Sequence, residues 1–220
     1  MSKKECTSSH VSEGKTINNI SDSFTRTGGN NSRQRLLLHS CCGPCSTSVI
    51  ERFAADFDVT VFYYNPCITE ADEYEKRKLN QIKVIEEFNR NNRGSWNIDF
   101  IEGRYDPGEY LEAVYGLENE PEGGARCDVC FRMRIRETAK KAAKLGYHVF
   151  TTTLSVSPHK NYEKILNCGR RAAEEFNVQF LETDFKKKAG FQRSIAISKE
   201  MGLYRQDYCG CEFSKREKTD

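Results

Sequence analysis

The chain has 220 residues, 37% of them hydrophobic and 30% charged, with a net charge of only +2. Such a length suits one core, and the near-neutral balance excludes a protein that holds nucleic acid by overall charge alone. With no apolar run able to span a bilayer and no signal peptide, a cytoplasmic location is expected, where ten cysteines point to metal or redox work and not to a disulfide framework.

Residues 1–32 are rich in Ser, Thr, Asn, Gly and Lys and read as a disordered extension in which Cys6 and His10 are incidental. A single α/β domain is expected over 33–214, then a charged tail over 215–220. The apolar run Leu36-Leu37-Leu38 predicts a first strand over 36–40. Cys41-Cys42-Gly43-Pro44-Cys45 follows as a tight turn, and a helix is expected over 46–55. The cysteines therefore fall at the carboxyl end of a strand and on a helix N-terminus, where free N–H groups and the helix dipole stabilise thiolates.

A second strand is expected over 59–64, stopping at Asn65-Pro66. A long charged helix over 70–92 carries Leu79, Ile82, Ile85 and Phe88 at helical spacing. A strand over 97–102, a short helix over 110–117 and a polar loop over 118–126 come next. Cys127-Asp128-Val129-Cys130 opens a basic helix that Gly146 terminates. Strands over 147–154 and 178–183 alternate with helices over 162–176 and 191–201. This alternation predicts a mainly parallel sheet with helices on both faces, and a site beyond the carboxyl ends of its strands.

The cysteines form three groups: Cys41, Cys42 and Cys45; Cys127 and Cys130; Cys209 and Cys211. Cys6, Cys67 and Cys168 stand alone. Four thiolates from the first two groups suit zinc or an iron–sulfur cluster, although a vicinal pair is not the usual half of a zinc knuckle. Cys42-Gly43-Pro44-Cys45 also has the spacing of a thioredoxin-type exchange motif. Cys209-Gly210-Cys211 can close a strained, reducible ring or supply further metal ligands. Asp128 is either a hard oxygen ligand or an acid favoured by the helix dipole. His39 and His159 are either ligands or hydrogen-bonded neighbours of ligands. Tyr63, Tyr64, Tyr74 and Arg77 line a pocket or belong to the core. Lys140, Lys141 and Lys144, and separately Lys186, Lys187 and Lys188, are solvated faces or phosphate contacts.

Several stretches together resemble one family: Cys41-Cys42-Gly43-Pro44-Cys45, Tyr64-Asn65-Pro66, Glu73-Tyr74 with Arg77, Cys127-Asp128-x-Cys130-Phe131 with Arg134, Thr151-Thr152-Thr153-Leu154 with Ser157-Pro158-His159-Lys160, and Tyr204-Arg205-Gln206 with Tyr208-Cys209-Gly210-Cys211. In this order they resemble the QueH-type epoxyqueuosine reductases over about residues 35–214. The resemblance implies a Rossmann-like fold of the HUP type, a [4Fe–4S] cluster and a further iron. It implies two-electron reduction of epoxyqueuosine to queuosine at the tRNA wobble position, the last step of queuosine biosynthesis. By motif, Cys41, Cys42, Cys127 and Cys130 are implied as cluster ligands and Cys209 with Cys211 as a redox-active disulfide. Cys45 and Asp128 are candidates for the second iron. Cys67 stands where the family commonly has Asn, and residues 1–32 lie outside its pattern.

No G-x-G-x-x-G fingerprint is present, so an external electron donor is expected. Two other readings share the fold or the cysteines. A PP-loop-like nucleotide-dependent tRNA-modifying enzyme would carry Ser-Gly-Gly-x-Asp-Ser after the first strand, where this chain has Ser40-Cys41-Cys42-Gly43-Pro44-Cys45. A zinc-bound RNA-binding module would need no redox pair.

Overall fold

The computed structural model describes residues 33–92 and 96–215, with Lys187 and Lys188 placed by their backbone only. The expected extension over 1–32, with Cys6 and His10, and residues 216–220 of the tail lie outside the described residues. Five strands, β1 (Gln34–His39), β2 (Phe57–Tyr63), β3 (Asp99–Glu102), β4 (Val149–Thr152) and β5 (Gln179–Phe180), form one sheet in the order β3-β2-β1-β4-β5. Every neighbouring pair is parallel, as a Rossmann-like fold requires. The strand order reverses between β1 and β4, and crevices open at the carboxyl edge at such a point.

The helices are α1 (Gly43–Phe53), α2 (Ala71–Asn91), α3 (Pro107–Ala113), α4 (Ala125–Lys144), α5 (Tyr162–Phe176) and α6 (Gly190–Glu200). α1 packs against α2 and α6, while α4 packs against α5 and the opposite face of β1 and β4. Leu36, Leu37 and Leu38 in the central strand are fully buried, because a strand covered on both faces needs apolar side chains at every position. Burying each contributes about 1.5–3 kcal/mol. Leu37 joins Phe62, Phe131, Ile135, Phe150 and Phe180 in the core beneath α4 and α5.

Several element boundaries differ from the sequence expectation, each for a local reason. α1 begins at Gly43, so Cys42 is its N-cap and Cys45 lies inside its first turn. α3 spans Pro107–Ala113 and starts there because the Asp106 carboxylate accepts from the Glu109 N–H at 3.3 Å and caps it. β4 ends at Thr152, whose hydroxyl accepts from the Leu154 N–H and starts a 3₁₀ turn over Thr153–Val156. On α2 the expected apolar stripe is wrong at Leu79, which is 61% exposed. Ile85 faces inward as expected, together with Tyr74, Arg77, Gln81 and Val84. Arg77 and Gln81 have partners there for their polar groups, and hydropathy alone does not register that satisfaction. No helix among the described residues is long and apolar enough to cross a membrane.

Candidate thiol-lined metal centre

Two helix N-termini bring the first two cysteine groups to the carboxyl edge of the sheet. Cys41 lies two residues beyond the end of β1, Cys42 caps α1, and Cys45 lies one turn later in position, so their sulfurs converge. All three Sγ atoms lie within 4.8 Å of one another, with Cys41 and Cys42 at 3.9 Å. The turn is tight because α1 and α2 touch at Gly43: a Cβ there would sit 2.7 Å from the Asn80 carbonyl oxygen. The Ser40 hydroxyl donates to Gln81 Oε1 at 2.6 Å, and Asn65 Nδ2 donates to the Ser40 carbonyl at 2.9 Å. The end of β1 is thus tied to both α2 and the loop after β2.

The second group opens α4. Cys127 lies in its first turn and its sulfur accepts from the Gly123 N–H at 3.2 Å. Cys130, one turn on, is buried and accepts from Arg134 Nη2 at 2.9 Å. Arg134 is 1% exposed, four residues after Cys130, and on the same helix face. Burial opposes its charge, but the sulfurs of Cys130, Cys67 and Cys209 outweigh that and hold its pKa well above the ordinary value.

Cys67, which stands alone in the sequence, does not stand alone in space. The loop after β2 delivers it, fully covered, into one apolar patch with Cys130 and Cys211. Its position directly after a strand end was the available signal. Cys209 and Cys211 complete the pocket, which Cys67, Cys127, Cys130, Arg134 and Lys160 also line. Both are free thiols, as are all nine described cysteines.

Cys41 in the first group and Cys67 beside Cys130 each favour the thiolate. Hydrogen bonds from Cys42 and then Cys45 lower the Cys41 pKa well below the ordinary value, against burial. The Cys67 pKa is lowered by the hydrogen bond from Cys130. The sharing holds the proton on the partner, so Cys42 rises to about 11 and Cys45 and Cys130 rise well above the ordinary value. A metal ion replaces such protons, and buried thiols arranged in this way form a soft donor set. An all-sulfur donor set of this kind suits zinc or an iron–sulfur cluster.

The remaining candidates fall into place around this set. His39 is fully buried and hydrogen-bonded, with Nδ1 at 2.9 Å from Thr152 Oγ1 and Nε2 at 3.1 Å from the Tyr64 carbonyl oxygen. Burial, then the Arg134 charge, lowers its pKa to about 3, so it is a neutral neighbour of the thiols. His159 lies exposed at the pocket edge. Asp128 pairs with Lys164 at 2.8 Å and is not among the converging group of Cys41, Cys42 and Cys45. Cys168 is half-buried against the core, and Tyr63 and Tyr74 are core residues whose tilted rings lie 5.1 Å apart. Gln206, in the C-terminal segment, donates to Cys42 Sγ at 3.2 Å.

The family described as epoxyqueuosine reductase QueH matches residues 36–217. Curated relatives bearing the same description include a Streptococcus pyogenes serotype M1 protein, 40% identical over 184 residues that cover 84% of this chain and 71% of the relative. A Histophilus somni relative is 41% identical over 185 residues, covering 83% and 73%. A Thermotoga maritima relative is 37% identical over 186 residues, covering 84% and 92%.

Proposed function

Since the chain belongs to the epoxyqueuosine reductase QueH family, we propose that it reduces epoxyqueuosine in tRNA to queuosine, removing the epoxide oxygen as water. The observation that carries this reading is that the loop after β2, the start of α4 and the C-terminal segment bring their cysteines to one pocket, while Cys41 and Cys42 from the end of β1 pack into the same core cluster as Cys127. The chemistry needs two electrons and two protons. A Cys209/Cys211 dithiol that closes to a disulfide releases both, so dithiol plus epoxide balances disulfide plus alkene plus water. An external reductant then reopens the disulfide.

In this reading Cys41, Cys42, Cys127 and Cys130 hold a [4Fe–4S] cluster. For a further iron Cys45 is the better placed candidate, since Asp128 must first release Lys164. When bound, such iron supplies single-electron transfer and a Lewis acid for the epoxide oxygen. The chain's own groups do the rest. The α1 and α4 N-termini and Arg134 stabilise the thiolates, Gln206 holds Cys42, and the buried, neutral His39 holds the ends of β1 and β4 together. Phosphate contacts with the tRNA fall to basic groups outside the pocket, such as the exposed Lys140 and Lys144 on the last turns of α4 and Lys186 beside Lys160.

The test is anaerobic purification with iron and sulfide analysis, and incubation with epoxyqueuosine-containing tRNA and a low-potential donor. Turnover to queuosine with iron bound is expected. A colourless zinc protein without turnover would replace this reading with the RNA-binding module.

A further inference from the structure

Five cations lie in or around the pocket, and four of them are committed. Arg134 donates to Cys130, and Arg77 donates to Glu73 and to the carbonyls of Tyr208 and Cys209. Arg126 donates to the carbonyls of Leu117, Glu118 and Glu120, and Lys164 pairs with Asp128. Lys160 differs. Its main chain is pinned, with its N–H donating to the Ser157 carbonyl at 3.3 Å and its carbonyl accepting from Lys186 Nζ. Asn161, the next residue, caps α5. Its ammonium, by contrast, has no hydrogen-bond or ion-pair partner among the described residues, although it lines the thiol pocket.

A half-buried ammonium left unpaired beside sulfurs is costly unless something else uses it. A proton donor with a fixed root and a free head thus lines the same pocket as Cys209 and Cys211.

We propose that the Lys160 ammonium protonates the epoxide oxygen as its carbon–oxygen bond breaks. The proton goes from Nζ to the oxygen, and the two electrons come from the Cys209/Cys211 dithiol as its sulfur–sulfur bond forms. Of the two thiol protons released, one restores the ammonium and the other completes the water. This assignment rests on the reductase reading above and names a catalytic group within it.

The test compares the iron-loaded wild-type protein with K160M, K160R and K160A on epoxyqueuosine tRNA under single-turnover and steady-state conditions. Iron content and visible spectrum are expected to match the wild type in all three. In K160M, kcat is expected to fall on the order of 10²–10⁴-fold with KM within about twofold, the size of a lost general acid. K160R keeps the charge but releases no proton, and it is expected to be nearly as slow. Added ethylammonium is expected to restore K160A in a concentration-dependent manner. Wild-type kcat in K160M or K160R would overturn the proton transfer, as would failure of ethylammonium to rescue K160A. A raised KM with unchanged kcat would make Lys160 a phosphate contact instead. Absence of turnover in the wild type overturns the reductase reading itself, and a working wild type beside a working K160M overturns only this assignment.

Discussion

The cysteines at the two ends of the chain are held by different means. Cys41, Cys42 and Cys45 are placed by backbone: a strand end, a helix N-terminus and a glycine contact between helices fix them within one turn. Cys209 and Cys211 sit in a segment without strand or α-helix and are placed by side chains that reach from elsewhere. Arg77, 1% exposed, joins Glu73 at 2.6 Å and donates to the carbonyls of Cys209 and Tyr208 at 3.0 and 3.2 Å. The Tyr204 hydroxyl reaches Glu73, and Thr69 bonds to Gly210 and Glu212 through N–H···O contacts. Gly210 fits beneath Arg77 at φ 126°, a conformation that an L side chain strains to adopt. A ligand site needs fixed sulfurs, whereas a pair that alternates between dithiol and disulfide needs a support that side chains can adjust.

The largest way to break this contrast is Arg77→Met. It strands the buried Glu73 carboxylate and frees the C-terminal segment, at a cost of about 3–5 kcal/mol in urea unfolding. Alkylation of Cys209 in the native protein is expected to accelerate while iron bound at Cys41 and Cys42 is retained. Equal loss of iron would show that the two regions are one unit.

Gly43→Ala tests the other side. A Cβ 2.7 Å from the Asn80 oxygen and 2.9 Å from its carbonyl carbon meets backbone, so α1 and α2 must separate. A loss of about 1–3 kcal/mol is expected, with reduced iron content and an unchanged Cys209 alkylation rate. Normal iron loading would mean that the three sulfurs do not depend on the turn. The smallest effect is expected for Gln206→Ala, which removes the hydrogen bond that links the two regions through Cys42. It should cost about 0.5–1.5 kcal/mol and shift the visible spectrum of the iron-loaded protein without loss of iron. An unchanged spectrum would leave the regions coupled only through Arg77.

Much of the architecture is legible in the sequence. Strand–helix alternation, the β-branched and aromatic run of β2 and the leucines of β1 determine a parallel sheet, because local periodicity and burial on both faces are properties of neighbouring residues. The same holds for the cysteine turn at a helix start, since Gly43 and Pro44 act within one turn. Only the tertiary structure decided that Cys67 meets Cys130, that Asp128 is taken by Lys164, that Leu79 faces solvent and that Lys160 is left without a partner. Those outcomes depend on side chains 36 or more residues apart, except for Leu79, where the competition is between an apolar residue and polar ones already satisfied inside. Sequence spacing carries the local terms of the free energy, and the long-range pairing of polar and sulfur atoms becomes fixed only when the sheet has brought the strand ends to one edge.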